Sequence, residues 1–332
     1  MSSKPAIHTS RRRLLTTGLL GAAGMVTPAL GQSPYPNRPI VLIVPFPPGG
    51  VTDLVARELA KRLSDALGQS VVVDNRAGAG GNIGTAALAK AAPDGYTLGV
   101  MTVSAMSIAP HIHKALPFQP LRDFTPISNI VNTPGAIVAG LKTPFQNLQD
   151  LIKAAKAAPG RISYASVGLG SLPHLAAEMF AQQAGVQLLH VPYKGAAPAM
   201  QDLLSGVVDL TFESALTNTV THFSQGKLKV LATTGTQRVP ILSQVPSAHE
   251  VLPGYAAQGW FGFFGPAGLP VPITTKLNEV AVAMLREPAL LERFEKLGIQ
   301  ADPSTPAQFA RYLQEQDRLW ASATKGLNLQ LD

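Results

Sequence analysis

Ser171 and His174 stand three residues apart at what reads as a helix start, a spacing that invites a nucleophile beside its base. No acid follows in a triad arrangement, and both side chains fit capping or hydrogen bonding to a ligand. His111 and His113 have a metal-like spacing but no third ligand near them, so they read as surface residues and no metal is expected. The chain has no cysteine, which removes disulfides, thiolate metal sites and cysteine nucleophiles together. What remains for chemistry is the main chain. Two glycine turns, Pro45-Phe46-Pro47-Pro48-Gly49-Gly50 and Val167-Gly168-Leu169-Gly170, each join an apolar strand to a helix. Glycine lets such a turn bare amide N–H groups at the helix start, and bared amides attract anions.

The elements that must position these turns are legible from periodicity. A strand is predicted over 40–44 and a helix from Val51, with Val55, Leu59, Leu63, Ala66 and Leu67 on one face and Arg57, Lys61 and Asp65 on the other. The second copy is a strand over 161–166 and a helix over 172–180, with Ser171 at the N-cap and Pro173 in the first turn. Two such helix starts, more than a hundred residues apart, suggest two lobes closing on one small anion. In open α/β sheets ligands lie outside the carboxyl ends of strands, so Ser104, just past a strand over 96–101, reads either as a third contact or as the cap of the helix after it. Lys194, after a strand over 188–192, either brings a cation to the cleft or is an ordinary surface lysine. A strand over 207–212 leads to Glu213 and Ser214 on the far side of the cleft.

The richest glycine run, 75–82, fails as a dinucleotide fingerprint, because the sixth place counted from Gly78 is Ile83. It reads as a turn that places a helix over 83–92, capped by Asn82, and no cofactor is expected. After an extended stretch over 124–130 a new alternation of strand and helix begins near Gly135. An aromatic strand over 260–264 and amphipathic helices over 273–286, 289–297 and 306–323 then complete the first lobe from its C-terminal side. Lobe one is therefore expected over 34–130 with 255–332 and lobe two over 131–254, and a lobe interrupted and resumed implies two crossing strands that make a hinge. Trp260 is expected in the core near that hinge.

Of the 332 residues, the first 31 read as an export signal: Ser10-Arg11-Arg12-Arg13-Leu14-Leu15 resembles a twin-arginine motif, and small residues Ala29 and Gly31 mark a cleavage site. Four of the seven surplus positive charges, on Lys4 and Arg11 to Arg13, lie in that leader, which leaves the mature chain mildly basic. Its cations are scattered rather than striped, a poor case for nucleic acid. With 46% apolar residues the chain can fill two packed cores.

Five motifs in order along the chain carry a resemblance. They are Pro45-Phe46-Pro47-Pro48-Gly49-Gly50-Val51-Thr52-Asp53, Asp74-Asn75-Arg76-Ala77-Gly78-Ala79-Gly80-Gly81-Asn82-Ile83-Gly84, Pro93-Asp94-Gly95-Tyr96-Thr97-Leu98, Val167-Gly168-Leu169-Gly170-Ser171-Leu172-Pro173-His174-Leu175 and Val191-Pro192-Tyr193-Lys194-Gly195. Together they resemble the Bug-type receptors of tripartite tricarboxylate transporters. The resemblance implies a monomeric periplasmic binding protein of the two-lobed Venus-flytrap kind, α/β in class, each lobe a mixed sheet flanked by helices, without catalysis. It implies capture of a small organic carboxylate and delivery to integral-membrane transporter subunits, or alternatively reporting of that ligand to a membrane sensor kinase. It places a ligand carboxylate, partly through ordered waters, between Phe46, Pro48, Gly49, Gly50, Thr52 and Asp53 on one lobe and Ser166, Gly168, Gly170, Ser171 and His174 on the other. Phe46 would wall the cleft. Asp53 would repel a carboxylate, so it is expected as a helix-start cap at N3 with Gly50 at the N-cap, or as an anchor for ordered water or the opposite lobe. Glu213, Ser214 and Leu269 depart from the pattern of relatives, and the first two leave the identity of the acid open.

Overall fold

The computed structural model describes residues 35–325 together with 327, 329 and 331. The export signal expected over 1–31 lies outside the described residues. The chain enters on β1 (Ile40–Val44), five apolar residues of which four are fully buried. Helix α1 (Val51–Leu67) follows, and β2 (Val71–Asn75) returns beside β1. A 3-10 turn (Ala79–Gly81) leads to α2 (Asn82–Ala89). β3 (Thr97–Thr102) then runs into a π-helical turn (Ser104–Ile108), the short α3 (Ala109–Ile112) and β4 (Phe124–Pro134).

The chain next alternates strand and helix: β5 (Ala136–Gly140), α4 (Leu148–Ala157), β6 (Ser163–Ser166), α5 (Leu172–Ala184), β7 (Leu189–Pro192), α6 (Ala196–Ser205), β8 (Leu210–Glu213), α7 (Thr217–Ser224) and β9 (Leu228–Thr233). It closes with β10 (Gln258–Pro266), α8 (Val271–Met284), α9 (Pro288–Glu295), the two-residue β11 (Gln300–Ala301) and α10 (Pro306–Ala323).

These strands form two mixed sheets. The first has the order β11-β4-β10-β3-β1-β2, with β1 parallel to β2 and β3 and with β10 antiparallel to β3 and β4. The second has the order β7-β6-β8-β5-β9, parallel at β6 and antiparallel at β5. Helices flank both, so the molecule is a two-lobed α/β fold. On the first sheet Val55, Leu59 and Leu63 of α1 and Leu277 and Ala281 of α8 bury against Ile40, Leu42 and Leu98. Ala66, which periodicity puts on the same face, is exposed near the helix end. Phe309 and Trp320 of α10 pack with Trp260 and Phe264 of β10 on the other side.

The chain changes sheet twice. β4 keeps pairing with β10 through Pro134, so the first change falls at Gly135 rather than after residue 130, and the return falls at Ala257. Thr234 ties the two passages together. Its Oγ1 accepts from Gly135 N at 3.0 Å and donates to Ala257 O at 2.6 Å, while its main chain pairs with both residues. A Cβ on Gly135 would lie 2.1 Å from Glu213 O, so only glycine fits where the strands pass.

Three local expectations need correction. Asn82 does not cap α2 but lies inside it, behind Gly81, and its amide reaches His113 Nε2 at 3.2 Å. The strand expected from residue 207 starts at Leu210, because Gly206 ends α6 with a left-handed turn that carries the chain through 207–209. His111 is half-buried rather than a free surface residue, paired with Asp317 of α10 at 2.9 Å.

Candidate functional site

A cavity opens between the two sheets at the carboxyl ends of β1 and β3. Its first wall is the turn after β1, with Phe46, Pro47, Pro48 and Gly50, continued by Val51 and Thr52 of α1. Thr102, Val103 and Ser104 form the floor after β3, beside Trp260 and Phe261 of β10. The opposite wall comes from the second sheet, with Val167, Leu172 and Pro173 before and at the start of α5, Gly195 to Pro198 at the start of α6, and Ser214. The cavity has a volume of about 80 Å³. Among the described residues no lysine or arginine lines it.

The α1 turn is braced from behind. Gly50 is the N-cap without a side-chain cap, and first-turn amides of a helix have no intrahelical acceptor. Asp53 Oδ2 accepts from Gly49 N at 3.1 Å and from Arg57 Nε at 2.8 Å, while Oδ1 accepts from Asn75 Nδ2 at 3.0 Å. The same Asn75 amide donates to Phe46 O at 2.9 Å. Burial pushes the Asp53 carboxyl up, but the hydrogen bonds from Arg57, Asn75 and Gly49 and the charge of Arg57 together hold it below the usual carboxylate range. Asp53 is thus an N3 anchor whose bond goes to Gly49 rather than to the N-cap amide. It and Gly49 stand behind the cavity, and Val51 and Thr52 face it.

The second turn is also braced, and its named residues stand behind the wall. Ser171 is the N-cap of α5, yet its Oγ donates to Gly168 O at 2.6 Å. Gly170 N donates to His174 Nδ1 at 3.1 Å. His174 stacks on His190 at 4.2 Å, and His190 stacks in turn on Tyr164 at 4.8 Å. His190 Nε2 lies 2.6 Å from Ser166 Oγ, which also accepts from Gly168 N at 3.2 Å. Burial, helped by His190, pulls the His174 imidazole down to about 3, and burial alone pulls His190 down to about 4. Both are therefore neutral near pH 7, and His174, with Nδ1 accepting, carries its proton on Nε2. The hydroxyl and imidazole that invite a nucleophile-and-base reading are each committed to holding the turn. Gly170 itself packs against the first lobe, where a Cβ would stand 3.1 Å from Ile112 and 3.2 Å from Leu331.

The remaining candidates separate. Ser104 lines the cavity and accepts from Leu172 N at 3.0 Å, so it caps the helix of the opposite lobe rather than its own. Lys194 is exposed in an outer hollow at the mouth, with Gly80, Gly168, Val167 and Tyr193, and shares the Phe46 and Pro47 wall with the inner cavity. Glu213 is buried and does not line the cavity, although Ser214 next to it does. Burial lifts its carboxyl to about 7, against a hydrogen bond from Thr211 at 2.9 Å. Gly80 closes the front, since a Cβ there would meet Leu169 O at 2.7 Å.

Sequence reading missed Thr102, Pro173, the 195–198 start of α6, and the bracing pair Asn75 and His190. The α6 start repeats the strand, glycine, helix pattern and was findable by it. His190 and Asn75 carry no local signal. Among the described residues no group of three or more metal-ligating side chains gathers, and no helix is long and apolar enough to cross a membrane.

Residues 55–329 match the family described as tripartite tricarboxylate transporter family receptor. The protein BugT of Bordetella pertussis is 37% identical over 316 residues, covering 95% of this chain and 97% of BugT. Among solved structures, Rpa4515 of R. palustris with adipate superposes with a TM-score of 0.85 at 34% identity, covering 88% of this chain and 98% of its own. MatC from Rhodopseudomonas palustris with bound malate superposes with a TM-score of 0.83 at 30% identity, covering 87% and 99%. The chain therefore belongs to the tripartite tricarboxylate transporter receptors, a family of periplasmic solute-binding proteins and not of enzymes.

Proposed function

We propose that the mature protein captures a small organic carboxylate in the cavity between its sheets and delivers it to the membrane subunits of a tripartite transporter. The carrying observation is the α1 start, where Val51 and Thr52 line a mostly apolar cavity behind an N-cap glycine that leaves the helix end uncovered. A helix N-terminus favours an anion by about 0.3 to 1 kcal/mol, rising to about 2 when partly buried, and each hydrogen bond to a charged group adds about 1.5 to 3. Micromolar binding needs about 8 kcal/mol, so several amides and the burial of an apolar chain must act together. The apolar walls suit the aliphatic part of an acid such as the adipate or malate held by the two relatives.

In this reading lobe one, residues 35–134 with 258–331, and lobe two, residues 136–256, swing about the passages at Gly135 and Ala257. Residues 1–31 direct export to the periplasm through a twin-arginine type signal. The Phe46, Pro48, Gly50 and Thr52 side of the cavity holds the carboxylate. Asp53, Ser166, Ser171 and His174 support the turns, and Lys194 stands at the mouth. A thermal-shift screen of mono-, di- and tricarboxylates, malate and adipate included, tests this, because an acid that binds the folded state alone raises the melting temperature. A flat response to every acid at millimolar concentration would remove the proposal.

A further inference from the structure

Helix α5 lacks a side-chain cap from its own chain neighbours. Ser171 sits at the N-cap but turns its Oγ back to Gly168 O, and Pro173 has no N–H to offer. The amide of Leu172, the first helical residue, is met from across the cleft by Ser104 Oγ at 3.0 Å. Ser104 is 5% exposed and lines the cavity floor. A hydroxyl oxygen that accepts one hydrogen bond still has its own hydrogen to donate, and among the described residues that hydrogen has no acceptor. On the same floor Thr102 Oγ1 is buried with no partner at all, although Thr102 is 3% exposed and lines the cavity. Of the two only Thr102 Oγ1 lacks any partner, whereas Ser104 keeps an unused donor on the cavity floor, and a buried donor left unused calls for an acceptor there.

We infer that Ser104 is a latch: it caps α5 in trans when the two lobes meet, and it donates its own hydrogen to an acceptor oxygen of the bound acid, with Thr102 beside it. The inference deepens the carboxylate-receptor reading and rests on it for the ligand. It also divides labour between the helix starts. Amides of α1 meet the carboxylate directly, whereas α5 acts on the ligand through a chain that runs from Leu172 N–H to Ser104 O–H to the ligand oxygen. Donors in such a chain polarise one another, which links occupancy of the cavity to closure of the cleft. Thr133 Oγ1, which donates to Ser214 O at 2.7 Å, also joins the lobes, but it does not line the cavity.

The test compares the mature chain with Ser104→Ala and Ser104→Thr, using malate and adipate as probes. Two quantities are read: the dissociation constant of each acid, and hydrogen exchange at the Leu172 amide with and without it. Alanine is expected to weaken binding about 2- to 30-fold, mainly through faster release, and to speed exchange at Leu172. Threonine keeps the hydroxyl and should retain both properties. The unliganded Ser104→Ala protein should melt no more than a few degrees below wild type, as loss of one cap allows, and Ser104→Thr with wild type, which separates the latch from a loss of fold. Equal exchange at Leu172 in wild type and Ser104→Ala overturns the latch whichever way affinity moves, and unchanged affinity overturns the donation to the ligand. Should wild type bind neither acid, the receptor reading for these acids fails, while faster exchange in alanine still supports the latch and equal exchange still overturns it.

Discussion

Three ionisable side chains are tuned by burial in ways that make pH a probe of the turns they support. His174 and His190 fall from the usual 6.5 to about 3 and about 4, so between those values and pH 6.5 the unfolded chain binds protons that the folded chain refuses. Their contribution is full above pH 6.5 and is lost on acidification, with a slope of up to about 1.4 kcal/mol per pH unit for each imidazole. His190→Phe keeps a ring in the stack but removes one titrating group. Urea titrations across pH 4 to 7 should show the slope of stability against pH reduced by up to about 1.4 kcal/mol per pH unit relative to wild type, and an unaltered slope would mean that the stack does not carry the acid sensitivity. Glu213 is the opposite case. Its carboxyl is raised from 4.5 to about 7, so the folded state binds the extra proton and stability declines as pH rises through that window. Glu213→Gln should therefore gain stability over wild type that grows from pH 4.5 and levels off above 7, at about 1 to 3 kcal/mol. Equal denaturation midpoints at pH 8 would contradict the burial assigned to this group.

At the scale of elements, each helix start is prepared by partners outside its own turn. Asp53 and Asn75 hold the α1 start, and a serine from the other lobe holds α5. Gly50 tests the first of these. Its φ of −84° suits any residue, and a Cβ there would meet nothing within 4 Å, so Gly50→Val should fold as wild type does. Its isopropyl group would nevertheless project where the cavity wall is main chain. The expected result is an unaltered unliganded melting temperature with the carboxylate-induced rise abolished, read in one thermal-shift plate. Asp53→Ala attacks the brace instead: it leaves Gly49 N without its acceptor and the Asn75 amide with Phe46 O alone, and should cost about 1 to 3 kcal/mol in chemical denaturation.

For the whole molecule the two passages between sheets decide what motion is available. Thr234 clamps Gly135 and Ala257 side by side, so the lobes share one narrow joint there, while Gly80 meets Leu169 across the front of the cavity. Gly135→Ala would force a Cβ to 2.1 Å from Glu213 O and 2.6 Å from Thr234 Oγ1, and the strands would have to part. A loss of about 2 kcal/mol or more is expected, together with a changed radius of gyration in small-angle scattering. Addition of a tightly bound acid to wild type should compact the particle, since closure brings both walls to the ligand.

Local pattern alone was enough for much of this. The apolar run of β1, the spacing of Val55, Leu59 and Leu63, the full span of α10 and both glycine turns follow from period and turn chemistry acting over a few residues. The five linked motifs carried the family. What no local window contains is which distant group meets which. Asn75 reaches Phe46 O because β1 and β2 run parallel, and His190 reaches Ser166 because β6 and β7 do. Ser104 finds Leu172 only because the two sheets face each other at their carboxyl ends. Hydrogen bonds and stacking act over about 3 to 5 Å between residues tens of positions apart, so tertiary structure alone assigned the supporting roles of His174 and Ser166 and the bridging role of Ser104.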